Sequence, residues 1–379
     1  IERFLANVPV QAGPPSAMYR LRKVARRYRV QLASASAVLT AIVLGSAASL
    51  RFAWIANERA EETSAALHDL GSSLGVALQA VEEMLVRALE VDDLERVRPE
   101  LIEETQAFFD SLDSDRIPDL ALKRRLASAI ARSSMVYSEL GRPRAAEAAA
   151  IRAIEIAGEL DGGNAEAQAD LLKLSGMARS SIADSRVAQG DRAGALGARE
   201  AAVADLRAAR DLSDDPDATR ALERALVNHG STLAIEDPTR ALELIEEGLE
   251  LGAESPYTPA HSVESAVHRS RLGVVLMALG RLVEADDELS LAVTALDAHL
   301  YVPQARRALA YTLDHLARTQ TRLGRIGEAA VSRSRCAEER RVLLDLHPES
   351  AVRRYHLGTA LMGLASLQLR LGQGSRALE

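Results

Sequence analysis

The chain is poor in several residue types, and each shortage narrows what it can be. Among 379 residues there is a single cysteine, Cys336, so no intrachain disulfide and no paired-cysteine metal or redox motif can exist. That lone thiol reads as a small apolar residue on a helix face. Aromatic residues make up only 3% of the chain, while alanine is abundant. Such a composition suits long helices packed closely through small side chains better than sandwiches or barrels. Lysine is scarce as well, 3 residues against 43 arginines, a ratio that reflects codon usage and carries no functional signal.

Catalytic constellations are also missing. The chain contains no Gly-rich phosphate loop after a strand and no His-Glu-x-x-His. Its eight histidines are scattered without metal-ligand spacing. The nearest pair, His261 and His268, falls on one helical face two turns apart and reads as exposed or capping side chains. Catalytic, cofactor-binding and metal-binding residues are therefore all expected to be absent from this chain.

Charge is present but divided. Residues 1–29 carry a net +6, so the formal total of −8 leaves −14 for residues 30–379. A net-acidic remainder argues against a nucleic-acid surface. Glu246, Glu247 and Glu250, like Glu338, Glu339, Arg340 and Arg341, read as solvated helix faces, the other reading being the lining of a ligand groove on the concave side.

Between the two charge regimes, Val30 to Leu50 runs without a charged residue, preceded by Arg20, Arg22, Lys23, Arg26, Arg27 and Arg29. As a helix this run is roughly 31 Å long, close to the hydrocarbon thickness of a bilayer. The basic flank places Ile1 to Arg29 in the cytoplasm and everything past about Ile55 outside it, with Tyr28, Phe52 and Trp54 at the interfaces. Two other readings of the run are a buried helix and a cleaved signal peptide ending near Ala47 to Ser49. Ala41 to Gly45 has a small-xxx-small spacing compatible with a homodimer.

From about residue 120 the chain repeats itself. Turns read Leu140-Gly141-Arg142, Gln189-Gly190-Asp191, Leu279-Gly280-Arg281, Leu323-Gly324-Arg325 and Leu371-Gly372-Gln373, with Glu236 taking the glycine position in a sixth. Five residues after each comes an alanine: Ala146, Ala195, Ala241, Ala285, Ala329 and Ala377. Twelve after come Ala153, Ala202, Gly248, Ala292 and Cys336. Successive turns are 49, 46, 44, 44 and 48 residues apart, the period of stacked helical hairpins. Glycine stops one helix in a left-handed cap, and small residues on the next let the two approach.

This pattern resembles the tetratricopeptide repeat, whose turn glycine precedes an alanine by the same five residues. Leu272-Gly273, Leu316-Ala317 and Leu364-Ala365 match its apolar-small pair, and Tyr137 its aromatic. The period exceeds that family's usual unit. The resemblance implies a protein or peptide ligand held on a groove formed by the first helices.

The opening segment, Ile1-Glu2-Arg3-Phe4-Leu5, Pro14-Pro15-Ser16 and Tyr19-Arg20-Leu21-Arg22-Lys23, resembles the juxtamembrane segment of bacterial transmembrane serine/threonine protein kinases. The start at Ile1 suggests a piece of something longer, and the resemblance implies a kinase domain before it, with ATP and Mg bound there. The phosphoryl-transfer motifs are not in these residues. The expected protein is all-α. A basic cytoplasmic segment covers 1–29, a transmembrane helix 30–55, a helical stalk 56–120 and a tetratricopeptide-like solenoid 121–379, with about six hairpins, the last truncated. It would sit in the bacterial inner membrane against lipid, repeats outside the cytoplasm, sensing or scaffolding for a receptor-like kinase. A membrane-tethered adaptor without kinase activity is the alternative, and a wholly cytoplasmic repeat protein a third.

Overall fold

At Gly190 the backbone turns left-handed, φ +81°, and one helix ends. The next residue, Asp191, starts another by accepting a hydrogen bond from the Gly194 amide at 3.0 Å. This stop-and-start recurs along the computed structural model, which describes residues 74–81, 83, 105–109, 111–112, 114, 117 and 119–373, apart from 161, 254–257 and 303.

Eleven helices follow one another in the repeat region of the described residues. They are α1 (Leu120–Glu139), α2 (Pro143–Gly158), α3 (Ala165–Gln189), α4 (Arg192–Leu212), α5 (Pro216–Leu233) and α6 (Pro238–Ala253). Then come α7 (Pro259–Ala278), α8 (Leu282–Ala298), α9 (Ala305–Arg322), α10 (Ile326–Leu346) and α11 (Ala351–Arg370). Each odd-numbered helix packs against the even-numbered one after it, giving five hairpins with α11 stacked on α10. Gly141, Gly280, Gly324 and Gly372 share the left-handed conformation of Gly190. Between α5 and α6 no glycine is needed, because Asp237 caps α6 by accepting from the Arg240 amide at 2.9 Å and Pro238 opens it.

The register read from the sequence is the packing register. Ala146, Ala195, Ala241, Ala285 and Ala329 have no exposed surface, and Ala153, Ala202, Ala292 and Cys336 are equally buried. Small side chains here let the helices of a hairpin approach until a methyl group would collide. A Cβ on Gly273 would stand 2.6 Å from Leu289 Cγ, and one on Gly230 would stand 2.7 Å from the Ala241 carbonyl oxygen. The larger apolar residues fill the space between hairpins. Leu206, Leu222, Leu226 and Leu244 pack together across α4–α6, Val227, Ile245, Leu272 and Ala285 across α5–α8, and Leu289, Leu309, Leu313 and Ala360 across α8–α11. No hairpin closes its own core; each completes its neighbour's.

The chain divides into two compact units, residues 1–81 with 105–113 and residues 82–104 with 114–379. In the first, residues 74–81 and 105–109 are helical, with Leu78, Val81, Phe109 and Leu112 buried. The second holds the hairpins.

One expectation is corrected. Among the described residues no helix is long and apolar enough to cross a membrane. The 30–55 span, its basic flank 1–29 and the Ala41–Gly45 dimer spacing lie outside the described residues. The inner-membrane location with lipid contact is withdrawn: the described helices pack their larger apolar residues on one another, and none of them carries the long uninterrupted apolar surface that spanning a bilayer requires.

Candidate functional site

Successive first helices touch: α1 packs on α3, α3 on α5, α5 on α7 and α7 on α9. Second helices of neighbouring hairpins approach one another less closely, so the odd-numbered helices form the tighter side of the stack. Side chains brought together there are polar and mostly cationic.

The arrangement starts from a register position. Nine residues past each turn stand Ala150, Arg199, Ile245, Leu289 and Arg333, all buried. In three hairpins this slot holds an apolar residue; in two it holds arginine. Arg199 on α4 is 4% exposed and donates its Nη2 to Asp184 Oδ1 on α3. Its Nε and Nη1 are buried with no hydrogen-bond partner. An unsatisfied buried donor costs about 1–3 kcal/mol, so this guanidinium is held at a disadvantage to the fold. Arg333 on α10 repeats the arrangement with Asp314 on α9, and its Nε is likewise unpartnered.

Asp314 serves more than one cation. Arg318 Nε lies 2.8 Å from its Oδ2 and Arg340 Nη2 3.6 Å from its Oδ1. One carboxylate thus faces three guanidinium groups. Beside it, the His315 ring meets that of Tyr311 at a tilt of 59°, with centroids 4.4 Å apart. Burial pushes its pKa down to about 4, with Arg318, Arg333 and Arg340 adding to that and Asp314 opposing it.

The two arginine centres are linked through α5 and α7. Arg271 on α7 donates Nη1 to Asn228 Oδ1 on α5. Burial first, and then Arg199, hold its guanidinium below the ordinary value, while Asp184, Tyr311 and Glu264 act the other way. His229 is also pushed down, chiefly by burial, with Arg199 among the cations contributing and Glu200 opposing. Solvent still reaches the track: the Asp184 side chain is 46% exposed, Tyr311 52% and the Arg318 side chain 59%.

The histidines singled out by spacing have other roles. His261 Nε2 lies 3.1 Å from the Gly252 carbonyl oxygen, while His268 Nδ1 pairs with Glu223 Oε1 at 2.9 Å, both side chains almost wholly buried. The expectation of an exposed or capping His268 is therefore corrected: it bridges α7 to α5 inside the stack. Among the described residues no group of three or more histidine, cysteine or acidic side chains is placed to hold a metal ion. Cys336 is fully buried, its thiol donating to the Ala310 carbonyl oxygen at 3.2 Å, and burial pushes its pKa up. Glu246 and Glu250 are exposed and Glu247 pairs with Arg207, but Glu339 and Arg340 are not solvated as expected. Glu339 pairs with Arg306 at 2.5 Å, and Arg340 donates to the His356 carbonyl oxygen at 2.6 Å. Arg199 and Arg333 escaped notice because arginine reads as a surface residue. The available signal was their register, a slot filled elsewhere by alanine, isoleucine and leucine.

No family model matches the sequence, and no curated protein matches it. Solved structures do. The apo form of RapI superposes with a TM-score of 0.52 at 11% identity, over 79% of this chain and 73% of that one. A signal-transduction ATPase with numerous domains and a tetratricopeptide-repeat sensor, from Pyrococcus horikoshii, gives 0.50 at 12% identity, over 82% of this chain and 42% of that one. At such identities the likeness is one of fold: the chain is a tetratricopeptide-like helical-repeat protein.

Proposed function

We propose that the repeat region is a protein-interaction module that holds a segment of a partner protein along the first-helix side of the stack. The observation that carries this is the polar track on that side, where Asp184, Tyr311 and Arg318 reach solvent between helices that otherwise bury their contacts. A surface serving only to close the core would be filled with apolar side chains, as the spaces between hairpins are. The tetratricopeptide repeats of the P. horikoshii ATPase are described as a sensor, which is consistent with a recognition role.

A photo-reactive phenylalanine analogue at Tyr311 or Arg318, set against the same analogue at Val283 on α8, tests the reading. A partner crosslinked from the native host by the first two and not by the third is the expected result; equal crosslinking from α8 would overturn it. A narrower form rests on the resemblance of residues 1–23 to the segment that follows the catalytic domain in bacterial serine/threonine kinases. On that form the module serves a longer kinase and recruits its regulator or substrate, while ATP and Mg bind elsewhere. The coding sequence upstream of Ile1 tests it, with the Gly-rich loop and His-Arg-Asp motif as the expected find.

A further inference from the structure

The joint between the third and fourth hairpins is built differently from its neighbours. Where α6 gives way to α7, the helices pack least closely of all the successive hairpins in the described repeat region. Elsewhere the opening half of a first helix is seated on the preceding hairpin by apolar side chains. Leu222 of α5 shares a cluster with Val203 and Leu206 of α4, and Ala305 and Leu309 of α9 share one with Leu296 of α8. In α7 the corresponding apolar residues, Val263 and Ala266, belong to the cluster that runs forward into α8–α11. Backward, that half of α7 makes polar contacts. His261 Nε2 lies 3.1 Å from the Gly252 carbonyl oxygen, Glu264 pairs with Arg224 at 2.6 Å, His268 with Glu223 at 2.9 Å, and Arg271 with Asn228.

The register of His268 accounts for the looser fit. Twelve residues before the turn glycine, α1, α3, α9 and α11 carry Ala129, Ala178, Thr312 and Ala360, each buried and small enough for a neighbouring helix to close in. Helix α7 carries His268 in that slot. Its partner Glu223 runs beneath Gly252, where a Cβ would stand 2.5 Å from Glu223 Oε1, so the glycine leaves room for the carboxylate. At the turn end of the same joint the packing is apolar: Leu272, Val275 and Leu276 of α7 share a cluster with Val227, Ala241 and Ile245.

We propose that this joint is a hinge about which α1–α6 and α7–α11 swing as two rigid parts, with the apolar turn end as its pivot and Glu223 with His268 as the latch at the other end. Parting apolar surfaces exposes them to water without compensation, whereas polar groups that separate exchange each other for water at little net cost. The polar end therefore opens while the apolar end holds. Opening changes the spacing of α5 and α7 on the first-helix side, and it does so whether or not a partner is bound there.

Pulsed electron double resonance between nitroxide labels tests the hinge, in a Cys336→Ala background. Glu250→Cys with Thr294→Cys spans the hinge, and Ala204→Cys with Glu250→Cys spans the joint before it. All three positions are exposed and lie fourteen residues past their turns, far from the pivot. The 250–294 distance distribution is expected to be at least twice as wide as the 204–250 one. Glu223→Met with His268→Leu, which replaces the latch by apolar packing, is expected to narrow the first to the width of the second. Equal widths without any change at the latch would overturn the hinge, a comparison that does not depend on a latch variant folding. An undiminished 250–294 width in the folded double variant would overturn the latch and the proposal with it.

Discussion

His268 and Glu223 meet at 2.9 Å with side chains 3% and 2% exposed, so neither can lose its partner without leaving a polar group stranded between α5 and α7. Truncating His268 to alanine should cost about 3–5 kcal/mol, read by urea denaturation. A paired replacement, His268→Leu with Glu223→Met, should recover most of that loss, and additive losses would show that the two act independently. His315 makes a pH prediction. Its pKa of about 4 in the fold lies below the ordinary 6.5, so between those values the unfolded chain binds the proton and the folded one does not. Stability is therefore intact above about pH 6.5 and falls as pH drops toward 4, by on the order of 3 kcal/mol. His229 shifts the same way. Replacing His315 by leucine should flatten that slope in denaturation curves; an unchanged slope would place the titration elsewhere. Cys336, buried and with its thiol pKa raised, should resist thiol reagents until the protein unfolds.

Glycine does two different jobs in the helices, and substitution should separate them. Gly190 has open space around its missing Cβ but a φ of +81°, so alanine there strains only the backbone, at about 1 kcal/mol. Gly230 is helical, and its Cβ would meet the Ala241 carbonyl oxygen, a main-chain atom that cannot rotate away. Alanine at 230 should therefore cost more, about 1–3 kcal/mol, and melting curves of the two variants should fall in that order. These positions also mark how far a sequence can be read. Turn glycines and the alanines five and twelve residues on are legible because each is dictated by local backbone geometry or by the contact of two adjacent helices. Arg199 and Arg333 are not, because the carboxylate that stabilises each lies 15 and 19 residues away on another helix and burial is set by a third. His268 with Glu223 is a longer case, 45 residues apart, where spacing alone suggested an exposed side chain.

Across the repeat region, hairpins are tied to their neighbours by ion pairs about one repeat apart: Arg186 to Glu147, Arg192 to Glu236, Arg207 to Glu247, Arg224 to Glu264 and Arg325 to Asp286. Each is partly exposed and contributes at most about 1 kcal/mol, so they set register more than they set stability. Burial varies along the stack: α5 buries Leu222, Ala225, Leu226 and Val227, whereas α11 buries only Ala360 and Leu367. Hydrogen exchange should thus be slow in α5 and α7 and distinctly faster in α11; uniform protection would mean the stack opens as one unit. Because every hairpin leans only on those beside it, mechanical load has no shortcut through the array. Pulled along its length, the repeat region should yield like a row of clasps, each release paying out one hairpin of slack while the rest stay closed.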